Sequence, residues 1–249
     1  MKLSEVKPEP AHGAPTPKLR RFYKVVNVIN EDGALRVVLD GKPIRTPRQN
    51  ILETRKQAIA EAIAKEWDSQ EPFIDRETMV LTRMVTAVID CIGSEREAII
   101  SGLMSYIDSD LLCYRAVYPT ALKVKQDEAW QPVLDWLKES FGACFTVIYG
   151  IMPERQSADT VVAMKQAIDS LTDENLAAFQ ACASVTKSLS LSMALVHGYL
   201  DAEEVSLLAQ LDERFQAEQW GEDQEEQIRR QKIDFEINII SNYINILRN

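Results

Sequence analysis

The hydrophobic period of this 249-residue chain changes once, near Thr54, and that change limits what it can fold into. Residues 21–30 (RFYKVVNVIN) are rich in β-branched and aromatic side chains, and Glu31-Asp32-Gly33 supplies a turn. Residues 34–39 (ALRVVL) read as a second strand, Asp40-Gly41 as a second turn and 42–46 as a short third strand. From Thr54 on the spacing is helical: Ile59, Ala62, Ile63 and Trp67 predict a helix over about 54–69. An apolar stretch over 81–92 follows, then Gly93 and Ser94-x-x-Glu97, which has the form of a capping box. Further helices are expected at about 95–115, 119–141, 158–171, 174–199, 202–220 and 223–247. Residues 143–151 (ACFTVIYGI) have strand composition, but their length leaves helix or strand open. The expected fold class is α+β: a small N-terminal β-meander with a helix over 21–92, then a mostly α-helical, orthogonal bundle-like domain over 93–249. Residues 1–20 hold Pro8, Pro10, Pro15 and Pro17 and read as a disordered tail.

Composition removes several function classes. The nine glycines are never closer than eight positions apart, so neither a G-x-G-x-x-G nor a P-loop occurs, and no intrinsic ATP hydrolysis is expected. Two histidines, His12 and His197, and four scattered cysteines form no zinc pattern, so no metal or cofactor is expected. The cysteines read as reduced, mostly buried thiols. Net charge is 28 − 38 = −10, which argues against nucleic acid or an anionic membrane as the main partner. That charge is uneven: residues 1–50 hold ten basic and five acidic side chains, whereas 201–249 hold five and twelve. The longest uncharged run, 140–153, is too short to span a membrane. The N-terminus has neither an apolar h-region nor an Arg- and Ser-rich transit pattern, so the expected compartment is the bacterial cytoplasm rather than the mitochondrial matrix.

Several residue sets invite a chemical reading. Ser184-x-x-Lys187 has serine–lysine nucleophile spacing, but its companion motifs are missing and the helix is serine-rich, so a structural role is expected. His197 ends an apolar helix, where the helix dipole favours a protonated, capping imidazole over a general base. Asp108 and Asp110 have no histidine ligand in reach, so capping or an ion pair with Arg115 is expected. The segment around Glu218, Trp220, Gly221 and Asp223 carries more. Glu218 lies seven positions, hence about 20°, from the azimuth of Leu211, so it continues the stripe of Leu208, Leu211 and Phe215. Asp223 can cap the next helix in a box with Glu226. A capped helix–helix corner explains this spacing. So does an interaction site in which a carboxylate is rimmed by aromatic and apolar groups.

One family resemblance ties these stretches together. Arg21-Phe-Tyr-Lys24, Leu39-Asp-Gly-Lys-Pro-Ile-Arg-Thr-Pro47, Ala64-Lys-Glu-Trp67-x-x-Gln70, Leu81-Thr-Arg, Asp110-Leu-Leu-Cys-Tyr-Arg115 and Glu218-x-Trp220-Gly221-x-Asp223-x-Glu225 occur in the order seen in the ATP-twelve family. The resemblance runs from about Arg21 to Leu247. It implies an assembly chaperone, not an enzyme, that binds the unassembled alpha subunit of the F-type ATP synthase catalytic head until the beta subunit replaces it. It places partner binding at Glu218, Trp220, Gly221 and Asp223, with no cofactor. Two positions depart from the pattern: Val80, where the family often has proline, and Lys187, where it often has glycine. A ring subunit awaiting its neighbour exposes an apolar interface that needs covering. The rivals from other classes are a carboxylate-dependent hydrolase or lyase using Glu218 and Asp223, and a scaffold binding its own copies.

Overall fold

Two Asp-Gly pairs build the sheet. In the computed structural model, which describes residues 19–150, 152–221 and 223–248, Asp32-Gly33 and Asp40-Gly41 all have positive φ, between 48° and 82°. That geometry matches the right-handed twist of the strands it joins. It connects β1 (Val26–Glu31) to β2 (Ala34–Leu39) and β2 to β3 (Lys42–Pro43). The far edge of β2 is shared between β3 and β4 (Glu53–Thr54), so Thr54 ends a strand and α1 begins later, at Gln57–Asp68. Residues 1–18 of the expected tail lie outside the described residues, and Arg20 bridges to Phe73.

Long-range contacts, invisible in local spacing, fasten α1 to its surroundings. Tyr23 donates its hydroxyl to the Trp67 carbonyl at 2.6 Å, and its ring lies 5.7 Å from the indole. Arg21 bonds the carbonyl and carboxylate of Asp68. Glu66 caps a different helix, α2 (Val80–Ala87), accepting from Leu81 N, Thr82 N and Thr82 Oγ1 at 2.7–2.9 Å. Burial pushes the Glu66 carboxyl above its usual value, while the α2 N–H groups oppose that shift. Val80 is the first residue of α2, the position where a proline would lose no helical hydrogen bond.

A π-helical turn, Val88–Ile92, follows α2 and swings Asp90 inward to accept from Thr46, Arg48 and Asn50. The expected capping box at Ser94 does not form. Ser94 lies inside α3 (Gly93–Met104) and bonds back to the Cys91 carbonyl. Helix α3 is also shorter than the expected 95–115. Residues 107–113 make two 3-10 turns instead, and Tyr114–Arg115 forms β5. After α4 (Thr120–Phe141), Ile148–Tyr149 forms β6, parallel to β5, so the open 143–151 segment holds a two-residue strand within its described part, 143–150, while Ile151 lies outside the described residues. Asp127 on α4 clamps this ladder, accepting from Arg115, Lys123 and Tyr149 at 2.6–3.0 Å.

The remaining helices are α5 (Ala158–Asp169), α6 (Asp173–Thr186), α7 (Leu189–His197), α8 (Ala202–Ala209), α9 (Leu211–Trp220) and α10 (Gln224–Arg248). The fold is α+β, with a small N-terminal sheet and helices beyond it. Every residue from Leu189 to Val196 is buried, so α7 is the central rod. The buried apolar cluster runs from Val37 and Ile63 through Met84 and Phe179 to Ile240.

Two expected long helices are broken. The 174–199 stretch divides at Lys187, which sits at φ 58°. Ser188 then caps α7 by accepting from Leu191 N at 3.0 Å. Asp110, fully buried, accepts from Ser188 Oγ, Ser190 N and Leu112 N at 2.9–3.2 Å. The expected capping role of Asp110 is therefore found, but Arg115 turns away to Asp127 and Gln131. Burial raises the Asp110 carboxyl above its usual value, opposed by the α7 and Leu112 N–H groups. The 202–220 stretch divides at Gln210, whose buried amide donates to Ser206 and Asp234. Of the cysteines, Cys113 and Cys182 are buried, Cys91 is half-buried and Cys144 is exposed.

Lys187 holds a left-handed backbone that favours glycine, and its side chain is exposed. Lys187→Gly should therefore stabilise the fold by about 0.5–1 kcal/mol, a rise of a few degrees in Tm by calorimetry. A second test concerns acid. Lys123 first, then Arg115 and Tyr149, hold the Asp127 carboxyl at about 2 against a smaller opposing effect of burial. A depressed native pKa adds stability above the unfolded pKa of about 4 that is lost as pH falls towards 2. Asp127→Asn should lower Tm at neutral pH and flatten its fall across that window.

Candidate functional site

Helix α9 lies across the N-terminal half of α4. Trp130 Nε1 donates to the Leu208 carbonyl at 3.0 Å, Gln126 Nε2 to Asp212 Oδ1 at 2.6 Å, and Lys125 Nζ to Glu218 Oε2 at 2.6 Å. Phe215, 6% exposed, is the buried anchor of α9, and Lys125 Nζ sits 5.3 Å from its ring centre. Burial raises the Asp212 carboxyl above its usual value, opposed by the Gln126 bond.

Beyond Phe215 the helix emerges into solvent. Trp220 is 78% exposed, and the Glu218 side chain is 57% exposed. Glu218 is thus not rimmed by apolar groups as its azimuth predicts. Leu211, its reference residue, is itself only half-buried, and Glu218 meets Lys125 as a surface ion pair. Gly221 closes α9 with φ 86° and donates to the Ala217 carbonyl. Asp223 then accepts from Glu226 N at 2.8 Å, the N-cap half of the expected box at the start of α10. Gln216, Trp220, Gly221, Asp223 and Glu226 line an open recess at this corner. All four expected residues therefore fall on one turn of chain, with Glu218 tied to α4, Asp223 to α10 and Trp220 to neither.

Carboxylate catalysis finds little support in this geometry. Glu218 and Asp223 are exposed and engaged by Lys125 and a helix N-terminus, and the recess that the described residues form beside them is open to water. Among the described residues no group of three or more His, Cys, Asp and Glu is placed to hold a metal ion. His197 is exposed and packs edge-on against Phe141 at 5.0 Å. Burial of part of the ring first, then Arg248, hold its imidazole below the usual value, opposite in direction to the shift that a helix C-terminus predicts. Lys187 Nζ donates to the Ser184 carbonyl, so the Ser184–Lys187 pair is a helix-end contact. His12 lies outside the described residues. A more enclosed cleft of about 580 Å³ between α3 and α6 is lined by Leu103, Tyr106 and Leu189, with Lys187 its one charged side chain. The sequence gives no signal for it beyond ordinary apolar spacing.

A family model described as ATP12 chaperone protein matches residues 20–138. A solved protein of Agrobacterium tumefaciens superposes with TM-score 0.82 at 37% identity, covering 92% of this chain and 86% of its own. Atp12 from Paracoccus denitrificans superposes with TM-score 0.78 at 32% identity, over 92% of this chain and 98% of its own. Protein atp12, mitochondrial, of Schizosaccharomyces pombe is 28% identical over 219 residues, 83% of this chain and 75% of that protein. No helix among the described residues is long and apolar enough to cross a membrane.

Stability measurements separate the two acids. Asp223→Ala removes the α10 cap and should cost about 0.5–2 kcal/mol in thermal or urea unfolding. Glu218→Lys breaks only an exposed ion pair and should change stability by less than about 1 kcal/mol.

Proposed function

The chain belongs to the ATP12 chaperone family, and from that premise we propose that it is a non-enzymatic assembly chaperone. Its client in this reading is the unassembled alpha subunit of the F-type ATP synthase catalytic head, held from aggregation until the beta subunit pairs with it. The partner-binding residues are Glu218, Trp220, Gly221 and Asp223. No cofactor takes part, and the work is done in the bacterial cytoplasm.

One observation carries the site: Trp220 is 78% exposed although the rest of its motif has work in the fold. An indole left in water is a cost that folding does not explain, and tryptophan is prominent among residues that dominate binding energy. Gly221 gives the turn that presents it, Asp223 fixes the helix behind it, and Glu218 sets a carboxylate beside it. The same reading takes 21–92 and 93–249 as the two domains of the chaperone, the first carrying the sheet and the second the client corner.

Retention of purified alpha subunit tests the proposal. Glu218→Lys should abolish retention while Tm stays within a degree or two of wild type, because the client's group would face a like charge. Trp220→Ala should weaken it at least tenfold. If Glu218→Lys lowers Tm as far as it lowers retention, Glu218 is a structural residue and the site is misplaced. If that variant melts like wild type and still retains the alpha subunit, the client binds elsewhere.

A further inference from the structure

The sheet has one long open edge. Strand β2 is central, with β1 on one side and the two-residue strands β3 and β4 sharing the other. Strand β1 pairs with β2 without a bulge over six residues, from Val26–Leu39 to Glu31–Ala34. Asp40 N donates to the Val25 carbonyl at 2.9 Å, so the ladder's alternation turns the backbone groups of Val25, Asn27 and Ile29 towards β2. Val26, Val28 and Asn30 then point their N–H and C=O groups out of the sheet, and none of these groups bonds another described residue. The strand, Val-Asn-Val-Ile-Asn-Glu, has no lysine, proline or bulge to protect it. Val26 and Val28 are half-buried on the α1 side, and Val25 is 52% exposed on the other.

We infer that the outer edge of β1 is a second docking site, taking an extended segment of the client polypeptide as an added antiparallel strand; this rests on the chaperone reading. Backbone groups of the segment pair with Val26, Val28 and Asn30, and its alternate side chains lie beside Val26 and Val28 over α1. Charge sets its direction. Lys24, before the strand, and Asp32, after it, close no salt bridge with a described residue, although Asp40 lies near the first and Arg36 near the second. An antiparallel segment that ends in a carboxylate opposite Lys24 and begins with an ammonium opposite Asp32 complements both. Two rigid copies of this chain meeting only along a strip about 20 Å long would bury far less than the ~1,200 Å² of a specific interface. A flexible segment can instead follow the edge and cover both of its shoulders.

The probe is the peptide acetyl-Lys-Thr-Val-Thr-Val-Thr-Asp-amide, with its charge-swapped form, Asp first and Lys last, as comparison. Amide exchange followed by NMR should show protection of Val26, Val28 and Asn30 on adding the probe, with weaker binding of the swapped peptide. Val28→Pro removes an outward N–H without touching the β2 ladder and should weaken binding about fivefold, the worth of one backbone hydrogen bond. Should that variant fail to fold, Lys24→Glu, at an exposed side chain, should abolish the preference between the two peptides, because each then meets one opposite and one like charge. Glu218→Lys should leave peptide binding unchanged, so loss of alpha-subunit retention in that variant tests the α9 corner alone. Absence of protection at these three amides overturns the proposal, as does equal binding of both peptides by wild type or a preference that survives in Lys24→Glu. Light scattering that shows a dimer abolished by Val28→Pro would assign the edge to a second copy and also overturn it.

Discussion

A buried carboxylate without a cation decides where the helices of this protein stop and start. Asp110 gathers Ser188 Oγ, Ser190 N and Leu112 N around one group. These donors stand in for a counter-ion: a helix N-terminus carries partial positive charge, and each N–H offsets part of the desolvation cost. Because α7 must begin at this point, α6 has to end at Lys187 and turn through a left-handed residue. The all-apolar α7 then runs inward from a fixed end, with α4, α6, α8 and α10 packed around it. Replacing the acid would leave buried donors unmet, so its cost would exceed that of any one hydrogen bond it makes.

The pattern recurs at smaller scale. Glu66 caps α2 from α1, Asp90 holds the Thr46–Asn50 loop from the π-helical turn, and Gln210 holds the α8–α9 break against Asp234 of α10. Each is a polar side chain on one element satisfying backbone or side-chain groups on another. Together they fix registers that apolar packing alone tolerates loosely.

That is also why the sequence was legible only in part. The hairpins were readable because Asp-Gly turns are local chemistry, and α4, α5 and α10 because their periodicity is unbroken by tertiary contacts. The break at Ser188 was not, since apolar spacing continues across it and the group that enforces it is 78 positions away. A signal did exist: the family's frequent glycine at position 187 is what a left-handed helix end asks for. The Ser94 box failed because a capping box is a local preference, and the π-helical turn had already carried the helix past it. His197 is shifted opposite to the dipole expectation because that argument omits burial first and then Arg248. At the α9 corner, spacing gave the four residues and their shared turn but the wrong exposure for Glu218. Azimuth says which face a residue is on and not how far along the crossing helix extends.

Family-like motifs divide by whether the fold uses them. Arg21, Tyr23, Glu66, Trp67, Thr46, Asp110 and Arg115 are all bonded to distant parts of the chain. Trp220 is not, and stands at the acidic end of a chain whose first fifty residues are basic. The sequence around the proposed strand edge and that around the α9 corner therefore differ in the sign of their charge. A client engaging both would have to offer two separate stretches. Each stretch could bind weakly, because holding one raises the effective concentration of the other to roughly the millimolar range for short flexible connections. On the proposed reading, weak, divided contact would let a neighbour subunit displace one stretch at a time, each displacement lowering the effective concentration that kept the other in place.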